Sequence, residues 1–133
     1  MSWTLKRLVG RSDVKEARPW SHIRTMLRPE ELDHLQQLAQ RVRGVGALVD
    51  LGAYVGGSTA ALAAGAWENE AFRASGQKVH GFDRYTLTPW HIEHYPDPGF
   101  KDGRSGDSFR HVAEKNLAPW ARSEERRVGK ECR

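Results

Sequence analysis

Cysteine is almost absent from this sequence, Cys132 being the only one in 133 residues. That excludes an intramolecular disulfide framework and a thiolate-only metal cage, and it suits a reducing compartment, so a cytoplasmic location is expected. No run of about 18 apolar residues occurs, which excludes a helical membrane span. The early basic residues Lys6, Arg7, Arg11 and Lys15 lead into no apolar stretch and are not read as a secretory signal. Internal repeats and low-complexity tracts are missing too. So is any strong excess of one charge. The net charge is +4, and the last twelve residues contribute five basic and three acidic side chains, which leaves +2 on the remainder. Such a balance does not argue for a nucleic-acid partner.

What the chain does have is a glycine loop in an informative place. Ala47, Leu48 and Val49 form a short apolar run that continues through Asp50 to Leu51. Gly52, Ala53, Tyr54, Val55, Gly56 and Gly57 follow, and Ser58 and Thr59 open an alanine-rich helix, roughly residues 58–69. An apolar run of this kind predicts a parallel strand buried on both faces. A glycine turn between strand and helix is how parallel-sheet proteins hold a polar ligand at the carboxyl end of a strand. Gly52 permits the turn and lets ligand atoms approach bare backbone. Gly57, Ser58 and Thr59 would present free helix N-terminal N–H groups to an anionic group.

Spacing separates the known loops of this general type. The dinucleotide fingerprint requires a second glycine where Tyr54 stands. A phosphate-binding P-loop fits Gly52 and Gly57 but needs a lysine where Ser58 stands. A nucleophile elbow would need a final glycine at Ala60 and no polar loop after Leu51. Further along, Val79, His80, Gly81 and Phe82 read as a second short strand ending in Asp83 and Arg84. In doubly wound nucleotide-binding folds an acid at that position accepts the two ribose hydroxyls. The interval from Gly52 is longer than the usual ~20 positions; the excess lies in the polar residues 67–77, read as a helix end and loop.

The pattern of acid, leucine, glycine, three residues, then Gly56-Gly57-Ser58-Thr59 resembles the cofactor loop of class I S-adenosylmethionine-dependent methyltransferases. It is especially similar to small-molecule O-methyltransferases of the catechol type and to methyltransferases of sugar and antibiotic biosynthesis. The resemblance implies an α/β, Rossmann-like class I methyltransferase fold, here incomplete: an N-terminal helix, the first two parallel strands and their flanking helices. It implies S-adenosyl-L-methionine as cofactor and a small-molecule acceptor methylated on oxygen. Asp50, Gly52, Ala53, Tyr54, Gly56, Gly57, Ser58, Thr59, Asp83 and Arg84 would form the cofactor site. Asp50 would orient the loop or meet the amino group, Asp83 would hold the ribose, and Tyr54 would either lie beside the sulfonium or pack within the loop. Members of the catechol type also bind a divalent metal through later strands, so a metal is possible in a full-length protein, and no catalytic residue is assigned. The alternatives are a nucleotide-binding oxidoreductase of Rossmann type and a non-catalytic fragment.

The remaining chain is expected to be organised around that site. Residues 1–27 read as an N-terminal extension, with Trp3, Leu5, Leu8 and Val9 as anchors, and 28–121 as the front part of the cofactor domain. Pro29, Glu30 and Glu31 start a helix well, Leu32, Leu35, Leu38, Ala39 and Val42 give it one apolar face, and Gly44 and Gly46 stop it. Residues 85–106 read as a long functional loop, held down by Tyr85, Trp90, Tyr95 and Phe100. His91, Glu93, His94 and Asp97 lack the spacing of a metal site, so none is expected. A last helix is expected from Asp107, its cap, to Pro119, burying Phe109, Val112 and Leu117. Residues 122–133 resemble the in-frame translation of a short-read sequencing adapter. They are expected to be non-native, with the natural protein continuing past Ala121 and this chain inactive by itself.

Overall fold

The computed structural model describes residues 18–100 and 103–121. The anchors Trp3, Leu5, Leu8 and Val9 and the tail 122–133 lie outside the described residues. The elements run α1 (Pro29–Arg41), β1 (Leu48–Leu51), α2 (Gly57–Glu68), α3 (Glu70–Ser75), β2 (Val79–Phe82), α4 (Pro89–His94) and α5 (Arg110–Ala121). β1 and β2 form a two-stranded parallel sheet in the register Leu48 to Val79 and Leu51 to Phe82. The chain is therefore mixed α/β, built on a strand–helix–strand unit.

α1 starts as its sequence requires. Pro29 occupies the first turn with Glu30 and Glu31, and the Glu31 carboxylate accepts the Arg28 N–H at 2.7 Å. Leu32 and Ala39 are buried and Leu35 and Val42 partly so, whereas Leu38 is 47% exposed and drops out of the expected apolar face. The missing position is taken by Gln36, buried with its Oε1 accepting the Trp20 indole N–H at 2.8 Å. Trp20 and Ile23, in the segment read as an extension, lie in the same core as α1 and α2.

α1 and α2 touch at Gly65, where an added Cβ would sit 2.1 Å from the Gln36 carbonyl oxygen. Beyond α2 the expected helix end and loop is a separate short helix. Asn69 makes it so: its Oδ1 caps α3 by accepting the Phe72 N–H, while its Nδ2 donates to the carbonyls of Ala39 and Val42 at the end of α1. One buried amide thus closes two helix termini. Asn69→Ala is expected to cost about 3 kcal/mol, one lost cap plus two stranded carbonyls. A lower urea midpoint at unchanged slope would register it.

The expectation that β1 is buried on both faces needs correction. Leu48 and Asp50 are half-buried, but Val49 is 54% and Leu51 79% exposed. A parallel strand is doubly buried only where helices cover both faces. Here α2 packs on the face bearing Val79 and Gly81, and the face bearing Val49, Leu51, His80 and Phe82 is more open. Gly81 is needed on the covered face because an added Cβ would lie 2.7 Å from the Thr59 hydroxyl.

The described residues of the 85–106 segment, 85–100 and 103–106, are also more ordered than a structureless loop. Thr86 bridges Ser108 in antiparallel fashion, with Leu87 N–H on the Asp107 carbonyl and Gly106 N–H on the Leu87 carbonyl, both at 2.8 Å. Within this frame α4 forms, with Pro89 in its first turn. Tyr85, Tyr95 and Phe100 pack onto the core as expected, while Trp90 is 49% exposed. Phe109, Val112 and Leu117 are buried. The last helix, however, begins at Arg110, and Pro119 lies inside it. Asp107 does not cap it, since its carboxylate accepts the Arg104 N–H instead. Pro119 is tolerated because it falls in the last turn, where one missing donor costs one bond, and the buried Trp120 pins the chain beyond it.

Candidate functional site

The carboxyl ends of β1 and β2 open into a cleft of about 800 Å³. Its walls include Leu51, Gly52, Phe82, Asp83 and Arg84 from the strand ends, and Thr86, Thr88 and His91 from the segment that follows. Of the residues expected at a cofactor site, Gly52, Asp83 and Arg84 line this cleft. Gly52 has φ +86 and open space where a Cβ would be, so its backbone is accessible. Its N–H and that of Ala53 both donate to the Phe82 carbonyl, at 2.8 and 3.0 Å, which ties the loop to the end of β2.

The other expected residues stand behind the cleft and build it. Asp50 Oδ2 accepts the hydroxyls of Ser58 at 2.7 Å and Thr59 at 2.6 Å. Those hydroxyls therefore serve the loop internally. Gly56 and Gly57 are buried. A Cβ on Gly56 would meet Leu117 of α5 at 2.9 Å, and one on Gly57 would meet Thr25 at 2.8 Å. The start of α2 is thus covered by α5 and the N-terminal segment, and Asn116 Nδ2 holds the Val55 carbonyl at 2.9 Å from the same side.

Asp83 joins the two halves of the site. Its Oδ2 accepts the Tyr54 N–H at 3.0 Å and its Oδ1 the Tyr85 N–H at 2.8 Å. Tyr54 and Tyr85 are the two non-glycine residues with positive φ, at 49° and 53°, among the described residues. Such backbones cost of order 1–3 kcal/mol and persist only where the surroundings impose them. The Asp83 carboxylate is a large part of that imposition.

Tyr54 stands behind the cleft and supports its wall at His91. Its ring is buried, stacks on His91 at 5.5 Å and meets Phe109 edge-on at 5.4 Å. Burial first, and the Asp97 charge second, push its phenol up to about 12, with Arg24 opposing. The group is therefore a neutral donor at ordinary pH, and it donates to the Tyr95 carbonyl. Tyr85 is raised likewise, by burial first and then by the charges of Asp83 and Asp50. No three His, Cys, Asp or Glu side chains among the described residues group as a metal centre would require. His91 and His94 are each engaged through Nδ1, by Thr88 and by the Trp90 carbonyl.

Leu51, Phe82, Thr86, Thr88 and His91 were not marked by the sequence as site residues. The Thr88-Pro89 pair was the available signal, since a hydroxyl before a proline is a helix start. No protein-family model, curated protein or solved structure matches the chain. No helix among the described residues is long and apolar enough to cross a membrane.

Proposed function

We propose that this chain binds S-adenosyl-L-methionine and supplies the donor-binding part of a methyl transfer to an oxygen of a small-molecule acceptor, of sugar or natural-product type. The observation that carries this reading is the sharing of one cleft by Gly52 and Asp83 at the carboxyl ends of two parallel strands. A carboxylate offers about four lone-pair sites. The Tyr54 and Tyr85 amides take one on each oxygen, which leaves one on each for the two ribose hydroxyls. Leu51 and Phe82 add apolar surface to the same cleft. When bound, the cofactor supplies a methyl group on a sulfonium. The chain's part is to hold and orient it, because an in-line displacement gains most from positioning.

Gly52→Val tests the reading at a position where an added Cβ meets no neighbour. A branched side chain there narrows the cleft and forbids close approach to the backbone. The positive φ adds strain of roughly 1–2 kcal/mol. Calorimetry is expected to show S-adenosylmethionine and S-adenosylhomocysteine binding the wild-type chain, at least tenfold weaker binding by the variant, and no binding of NAD. Equal affinity in both proteins, or a preference for NAD, would reject this function.

A further inference from the structure

We infer that His91 reads the base of the nucleoside held in this cleft, its Nε2–H donating to a ring nitrogen of adenine; this rests on the cofactor reading above. The argument begins with a tautomer. The Thr88 backbone N–H, which can only donate, points at His91 Nδ1 at 3.2 Å, and the Thr88 hydroxyl lies 2.9 Å from the same atom. Nδ1 therefore accepts, and the neutral imidazole carries its proton on Nε2. His91 occupies the third helical position of α4, where a capping box ordinarily uses Glu or Gln. Here the ring nitrogen does the carboxylate's work, and this fixes the other nitrogen as a donor.

The ring is also fixed in place. Tyr54 covers one face at 5.5 Å with an interplanar angle of 13°, and Phe109 and Trp90 meet it at steep angles at 5.7 and 5.8 Å. His91 lines the cleft, and Nε2 has no hydrogen-bond partner among the described residues. A held donor without a partner, in a cleft that also has the apolar Leu51 and Phe82, suits a flat heteroaromatic ring with nitrogen acceptors. With Asp83 engaged on the ribose, the flat base, rather than the flexible methionine arm, is the part of the ligand that matches a fixed donor beside apolar side chains.

The test uses the whole chain with adenosine, its 1-, 3- and 7-deaza analogues and S-adenosylhomocysteine as calorimetric probes. His91→Asn keeps an acceptor oxygen near the place of Nδ1, so the Thr88 N–H stays satisfied, but it has no donor in the place of Nε2. Affinity for adenosine is expected to fall about tenfold in this variant. One deaza analogue should show the same loss against the wild type and no further loss against His91→Asn. Long-range nitrogen–proton NMR should find the Nε2–H tautomer. His91→Glu, which restores the usual capping-box acceptor for the Thr88 N–H and carries no donor when ionised, is a second variant should the first fail to fold, and it is expected to weaken adenosine too. Unchanged affinity in a folded variant, equal losses for all analogues in both proteins, or an Nδ1–H tautomer would overturn the assignment alone. Failure of the wild type to bind any of the probes would overturn the cofactor reading along with it.

Discussion

Gly65→Ala is expected to lower stability by about 3 kcal/mol, opposite in sign to what helix propensity alone suggests. In an exposed helix interior, alanine gains ~1 kcal/mol over glycine. Gly65 is buried in α2, however, and an added Cβ would stand 2.1 Å from the Gln36 carbonyl oxygen and 2.8 Å from the Ala39 Cβ. The first of these is backbone, so no side-chain rotation can relieve it. α1 would have to move away from α2, which thins the packing around Leu32 and Ala39 and pulls Gln36 from the Trp20 indole. Overpacking of this kind costs 1–3 kcal/mol and occasionally more, and the value here belongs at the upper end because two helices must separate. Gly46→Ala is the matched control: nothing lies within 4 Å of its added Cβ, and its φ is not positive. Urea unfolding followed by far-UV circular dichroism should leave Gly46→Ala near the wild type and move Gly65→Ala to a much lower midpoint. A Gly65→Ala midpoint at or above the wild-type value would mean the two helices are not in that contact.

The contrast between those glycines shows which features the sequence could disclose. Gly52 was legible because its task is local, a turn at the end of an apolar run with an open approach beyond it. The task of Gly65 is set by Gln36 on another helix, and that of Gly81 by Thr59, and neither neighbour can be identified from periodicity. Ser58 and Thr59 illustrate the same limit. A helix start suggests free groups waiting for an anion, yet both hydroxyls are engaged by Asp50, which already stood in the motif. Val49 and Leu51 satisfy the pattern of a buried strand, but burial depends on what covers the strand, and β1 pairs on one side with β2 alone among the described residues. α4 is hard to see in the sequence because its capping box uses a histidine in place of the acid that normally signals it. Asp83 does follow the end of β2, as its place in the sequence predicts, and that position is all the sequence can offer. Its grip on two strained tyrosines became visible only when residues far apart in the chain were brought together.

Asp83→Ala is accordingly expected to have the largest effect on the site, and by two separable routes. The first is mechanical. Removing the carboxylate strands the amides of Tyr54 and Tyr85, both at positive φ, and the roughly 1–3 kcal/mol of strain in each loses its main support. The Tyr54 backbone would relax, and its ring would leave the stack on His91 that walls the cleft. A stability loss of about 2 kcal/mol is expected, set by two unmade hydrogen bonds offset by the strain released. The second route is chemical: on the cofactor reading proposed above, the acceptors for two ribose hydroxyls are lost, which together with the altered wall should weaken S-adenosylmethionine about a hundredfold. Asp83→Asn separates geometry from charge. An amide has one acceptor oxygen and would turn its NH2 toward the other backbone N–H, so it cannot hold both tyrosines and should destabilise nearly as much as alanine. Calorimetry and urea unfolding on both variants under one set of conditions resolve the two routes. Wild-type affinity in a folded Asp83→Ala chain would remove the ribose role, and unchanged stability in Asp83→Asn would remove the brace. Because the Tyr54 amide and the cleft share this one carboxylate, a disturbed loop is expected to weaken binding even for ligands that lack the ribose hydroxyls.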